Sequence, residues 1–246
     1  MKRRWPIWMW TLWGVAACDG TPLPPPLIEE ACLLNGADCV AGMYAGEDGV
    51  LVIRGQGLFQ GFDCDLGSDE PLPLSGSFSA WVGDRPVERL VPEVWREGEP
   101  EALRGYLGAG LWVGRHPVRV RAPSGQQGER PDALVVANPL SIEGTIADPR
   151  PRLGGRLTLS LRLQNLGRAR LTGLRLGFSE SGTGDLDLPG VQTLEPLEAL
   201  GSRSLVFEIP ARGVGRVDLG VLVQAVAADS VPLQAEGSWP VEVNAP

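Results

Sequence analysis

The sequence predicts an all-β fold of sandwich or barrel type, and three observations carry that reading. Apolar and polar side chains alternate with a period of two, most plainly in RLTLSLRLQ from Arg156 to Gln164. Short runs of β-branched and aromatic residues recur between turn formers, of which the 246 residues include 33 Gly and 22 Pro. Sustained helical spacing of apolar residues is weak. A strand turns successive side chains to opposite faces, so a period of two marks a sheet with one buried face. Many short strands separated by turns describe a sandwich or barrel. The length suits one large or two small domains.

At the N-terminus Met1-Lys2-Arg3-Arg4 is cationic, and Trp5 to Ala17, WPIWMWTLWGVAA, is mostly apolar. Crossing the ~30 Å hydrocarbon core takes about 20 helical residues, so this run is too short to span. A cationic start, a short apolar centre and small residues before a break describe an export signal over residues 1–17. Val15-Ala16-Ala17-Cys18 resembles the lipobox of bacterial lipoproteins. In that family the cysteine becomes the first mature residue, carries diacylglycerol on its sulfur and is acylated on its new amine. The resemblance implies that Cys18 is a lipidation site and that a membrane of the cell envelope is the first partner. It leaves open which membrane and which face. Each buried CH₂ adds roughly 0.8 kcal/mol of membrane affinity, and several chains together make a stable anchor. Residues 18–26, with Pro22 and Pro24-Pro25-Pro26, read as an extended tether of about 3.1 Å per residue.

Beyond the tether, Val50 to Ile53, Phe78 to Val82 and Val118 to Arg121 are short runs bounded by Gly and Pro, as strands are. Leu157, Leu159, Leu161 and Leu163 fall on one face of a strand, with Arg156, Thr158, Ser160, Arg162 and Gln164 on the other. Leu174/Leu176/Phe178, Leu205/Phe207/Ile209 and Leu219/Val221/Val223/Ala225 repeat the pattern. A boundary near Asn138-Pro139 divides the chain into modules at 27–139 and 140–246.

The first module resembles the IPT/TIG family. VLVIRGQGLF from Val50 to Phe59 is similar to that family's strand followed by Gly-x-x-Phe, with the spacing here Gly55-x-Gly57-x-Phe59. WVGDRPVERL from Trp81 and LGAGLWVGRHPVRVRAPSG from Leu107 to Gly125 supply its later strands, loop and Pro-x-Gly turn. Between Phe59 and Phe78 the sequence departs from the pattern with a longer insert. The second module is similar to the CARDB-type family, on GGRLTLSLRLQNLGRARLTGLRL from Gly154 to Leu176, the Gly213–Asp229 segment and the final WPVEVN. Both resemblances imply immunoglobulin-like sandwiches. Asn165-x-Gly167 reads as a hairpin turn, because Asn and Gly tolerate the left-handed backbone that such turns need. The first family binds varied partners and the second is related to cell adhesion, so the fold alone assigns no activity.

With Cys18 lipidated, Cys32, Cys39 and Cys64 remain, and an exported chain oxidises cysteines in part. Cys32 and Cys39 flank Asn35-Gly36 and are the favoured pair; Cys39–Cys64 and Cys32–Cys64 are the alternatives. Closing the short loop contributes about 2.5 kcal/mol in the chain-entropy model. The spacing matches no zinc pattern, and no metal or other cofactor is expected. Asp63, Asp65, Asp69 and Glu70, and again Glu180, Asp185 and Asp187, form acidic loops that lack the order of a calcium loop; solvated loops are the expectation. His116 is the only histidine, and no G-x-S-x-G elbow accompanies it, so no catalytic triad is expected. After the export signal the tryptophans are Trp81, Trp95, Trp112 and Trp239. Trp112, in the GAGLWVGRH loop, is the candidate for partner contact.

Lys2 is the only lysine, and removing it with Arg3 and Arg4 takes the formal charge from −8 to −11. Binding to nucleic acid through phosphate neutralisation, or to anionic lipid through a basic surface, is therefore not expected. The sequence reads as a non-enzymatic, lipid-anchored envelope protein. Its remaining partner is an envelope protein, in adhesion or scaffolding, or a glycan, as a carbohydrate-binding or accessory module.

Overall fold

A computed structural model describes residues 24–58, 77–93 and 101–246. In chain order the strands are β1 (Leu27–Asn35), β2 (Asp38–Val40), β3 (Gly42–Tyr44), β4 (Gly49–Gln56), β5 (Ser79–Val82), β6 (Arg85–Pro92), β7 (Glu101–Leu107), β8 (Gly114–Arg121) and β9 (Gln127–Ala137). They continue as β10 (Leu140–Ile146), β11 (Arg156–Asn165), β12 (Thr172–Gly182), β13 (Asp185–Leu186), β14 (Gln192–Thr193), β15 (Ser202–Gly213), β16 (Gly215–Val226) and β17 (Pro232–Val243). A single 3₁₀ turn, Ala228–Ser230, joins the last two, and the described residues hold no α-helix. The fold is all-β, with sheets stacked as immunoglobulin-like sandwiches.

Two compact units form. One takes the described residues up to Ala41, Gly49–Leu107 and His116–Leu134; the other takes Gly42–Asp48, Gly108–Arg115 and Val135–Pro246. The first unit carries strands in the order β2-β1-β4-β7-β6-β5-β8-β9. Its core is Leu51, Val52 and Ile53 on β4 with Leu103, Leu107, Val118, Val120 and Leu134. Three consecutive buried residues in β4 fit an unbroken apolar run better than alternation, as expected of a central strand covered on both faces. Strand β6 pairs with β5 at Arg85 and Pro86 and with β7 from Val87 onward. Its register shifts between Glu88 and Val91, where Arg89 takes φ +50°, and an irregularity of this kind bends a strand. Pro26 is buried, and a Cβ on Gly128 would run into its carbonyl, so the end of the Pro-rich stretch packs beside β9.

The second unit has two four-stranded sheets, β10-β11-β15-β13 and β14-β12-β16-β17. Leu157, Leu159, Leu161 and Leu163 are buried, as the alternation requires, and Val217, Leu219, Val221, Val223 and Ala225 of β16 are buried likewise. Phe178 and Phe207 meet edge to face, with centroids 4.9 Å apart, a favoured aromatic geometry. The Asn165-x-Gly167 motif does not close a hairpin. Strand β11 pairs with β10 and β15, while β12 lies in the other sheet, so the motif marks a crossover. Its Asn is used for hydrogen bonding, not for a left-handed backbone. Asn165 Oδ1 accepts from Gly167 N (3.0 Å), and Nδ2 donates to the carbonyls of Ala169 (2.8 Å) and Glu198 (2.9 Å).

Candidate functional site

Cys18, the 18–23 part of the tether, Cys64, the acidic cluster from Asp63 to Glu70, and Trp95 lie outside the described residues. Cys32 and Cys39 are joined in a disulfide, with Cα atoms 5.4 Å apart. The hairpin register pairs Leu34 with Cys39 and Asn35 with Asp38. Gly36, at φ +66°, therefore occupies the first of two loop positions, and Asn35 stays in the strand. Glu30 brings a carboxylate close to the two sulfurs. The sulfurs are bonded to each other and Glu30 pairs with Arg54 at 2.7 Å, so this group offers a metal little to bind.

The acidic residues of the second unit are engaged in ordering their loop. Glu180 Oε2 accepts from Leu186 N at 2.9 Å, and Asp187 is paired with Arg212. Two of the three carboxylates thus satisfy a backbone donor and a cation of the chain itself. His116 packs over the turn between β5 and β6, where its Nδ1 lies 3.0 Å from the place a Cβ on Gly83 would take. Gly83, at φ +56°, allows both the turn and this approach.

Of the tryptophans, Trp239 is half-buried and packs between β10 and β17. Its ring lies over Gly144 of β10 and Gly237 of β17, where a Cβ would overlap it, and its Nε1 donates to Gly144 O at 2.9 Å. Trp112 is 61% exposed and Val113 beside it is 48% exposed, while Leu111 is buried at 4%. The loop thus inserts one apolar side chain and turns the next two outward.

A depression of about 370 Å³ opens on the first unit, lined by Trp81, Asp84, Arg119, Val120, Arg121 and Gln127. Its floor is the antiparallel pair β5–β8, whose register places Trp81 opposite Arg119 and Ser79 opposite Arg121. Ala80, Val82, Val118 and Val120 alternate with them and are buried, so the other set faces outward. The rim is rigid. Arg119 Nη2 donates to Gly83 O at 2.5 Å and lies 3.4 Å from Asp84 Oδ1, and Gly83 N donates to Pro117 O at 2.8 Å. Arg119 Nε is buried without a hydrogen-bond partner. This site is not legible in the sequence. Its residues meet only through the β5–β8 register; the alternation WVGDR and VRVR was the one available sign that Trp81 and the two arginines stand on outward faces.

No protein-family model and no curated relative matches the chain. Among solved structures, a Salmonella alpha-2-macroglobulin reacted with methylamine is similar at 14% identity and TM-score 0.39, over 87% of this chain and 16% of that one. Red sea bream transglutaminase is similar at 11% identity and TM-score 0.39, over 98% of this chain and 34% of that one. The Yersinia pseudotuberculosis adhesin InvE follows at 12% identity and TM-score 0.27, over 87% and 60%. The chain spans less than two thirds of the length of each, and no statement about its chemistry follows from these likenesses.

Proposed function

We propose that this chain is an exported, lipid-anchored, non-enzymatic protein of the cell envelope that works by binding other envelope components, in adhesion or surface scaffolding. The observation that carries the reading is Val15-Ala16-Ala17-Cys18, preceded by a cationic start and short apolar run and followed at once by a Pro-rich stretch. Two supports come from the body of the chain. His116 and the Glu180–Asp187 carboxylates serve turns and loops. The exposed Trp112–Val113 pair offers an apolar contact of the kind found at interfaces. The test is metabolic labelling with radioactive palmitate of the full chain in a Gram-negative host. Label is expected on the wild type and absent from Cys18→Ser; label persisting in Cys18→Ser overturns the anchor.

A second reading, a glycan-binding or accessory module of an envelope polysaccharide enzyme, is favoured by one observation. The depression beside Trp81 combines an aromatic face with fixed polar groups, which is how concave small-molecule sites are built.

A further inference from the structure

We infer that the depression on the outer face of β5 and β8 binds a saccharide bearing a carboxylate, with a sugar face against Trp81 and the acid group on Arg119 and Arg121. The inference rests on the glycan-binding reading and adds to it the charge of the ligand.

The register supplies the geometry. Trp81 and Arg119 are directly opposed across the β5–β8 pair, and the Ser79–Arg121 pair is the adjacent outward step. Opposed residues on one face of an antiparallel pair hold their Cβ atoms about 4.5–5.5 Å apart, within reach of one small ring. Aromatic side chains offer a flat apolar body to the C–H face of a sugar, and a guanidinium presents paired donors that match a carboxylate. Gln127, at the start of β9, adds an amide able to donate to or accept from hydroxyls.

Charge selects the acid. Asp84 lies within ion-pair distance of Arg119, whereas Arg121 has no ion-pair partner among the described residues. Two cations against one carboxylate leave a single positive charge in a chain whose formal charge is −8. That balance suits one carboxylate, that of the single sugar ring seated on Trp81, better than a doubly charged phosphate. Arg119 Nη2 donates to Gly83 O, so its guanidinium is oriented before a ligand arrives.

The experiment is titration calorimetry of the full chain in detergent micelles with trigalacturonate, and in parallel with neutral galactotriose. Trigalacturonate is expected to bind, with galactotriose weaker by about tenfold or more, the worth of a charge-assisted hydrogen bond. Arg121→Glu is expected to weaken trigalacturonate by at least as much, and Trp81→Ala to weaken both sugars. Arg121 is exposed and has no ion-pair partner among the described residues, so its variant tests the site even if Trp81→Ala fails to fold. Equal affinity for the two sugars overturns the carboxylate assignment while leaving the glycan reading standing. Absence of heat with either sugar overturns both. Trigalacturonate binding untouched by Arg121→Glu also overturns the proposal, since the sugar then binds elsewhere.

Discussion

Asn165 is the one buried polar residue among the described residues, at 2% exposure, and its amide serves backbone at both ends. Removing such a group takes the partner from Gly167 N and from the Ala169 and Glu198 carbonyls, at about 1–3 kcal/mol per buried group left unsatisfied. Asn165→Ala is therefore expected to lower stability by about 3 kcal/mol, read as a shift of the urea midpoint without a change of slope. Trp239 makes a similar case through shape. Trp239→Phe deprives Gly144 O of its donor, and Gly144→Ala places a methyl inside the indole. Both variants are expected to unfold earlier in thermal melts, the second by the larger margin, because overpacking adds to the lost hydrogen bond. The Asn-x-Gly pattern was visible in the sequence and its role was not. Asparagine favours a turn backbone and also caps one through its side chain, and only the placement of β12 in the opposite sheet separates the two.

At the level of elements, alternation located the strands with one wet face. The Arg156–Gln164 pattern became β11, and the Leu219–Ala225 pattern became the centre of β16. Strand β1, LIEEACLLN, was less legible, because Ala31, Cys32 and Leu33 are buried in succession and charged residues precede them. The same strand carries the disulfide to β2. Replacing both cysteines by alanine is expected to cost about 2.5 kcal/mol through the freed loop of the unfolded chain, measured by chemical denaturation against the oxidised wild type. If Cys18 carries lipid as proposed, alkylation of the unreduced chain should modify one thiol, that of Cys64; modification of three would contradict the pairing. The Trp81 depression shows why sites are harder to read than elements. A strand announces itself within a few residues, whereas this site exists only once β5 and β8 are in register.

For the whole molecule, charge sets what approaches it. A formal charge of −8, more negative still without the N-terminal cations, repels nucleic acid and any long polyanion. The full chain is expected to leave a duplex DNA probe unshifted in a gel at 0.1 M salt, where the screening length is about 10 Å. A retarded band would show a basic surface that the sequence does not contain. The same repulsion bears on the acidic saccharide proposed for the depression. Lengthening an oligogalacturonate beyond the reach of Arg119 and Arg121 should weaken its binding per residue, because the added charges meet an acidic surface.

The edges of the second unit have a consequence for molecules held close together. One side of its sandwich ends in β13 and β14, each only two residues long. On the other side β10 lies against β17, fastened by Trp239 to Gly144 and by Asn138 Nδ2 donating to Gln234 O at 2.7 Å. Unpaired strand edges are templates on which another chain can zip, and short or covered edges deny that template. Confinement to a surface would raise the local concentration of such domains, and these blunted margins would let them crowd side by side without polymerising.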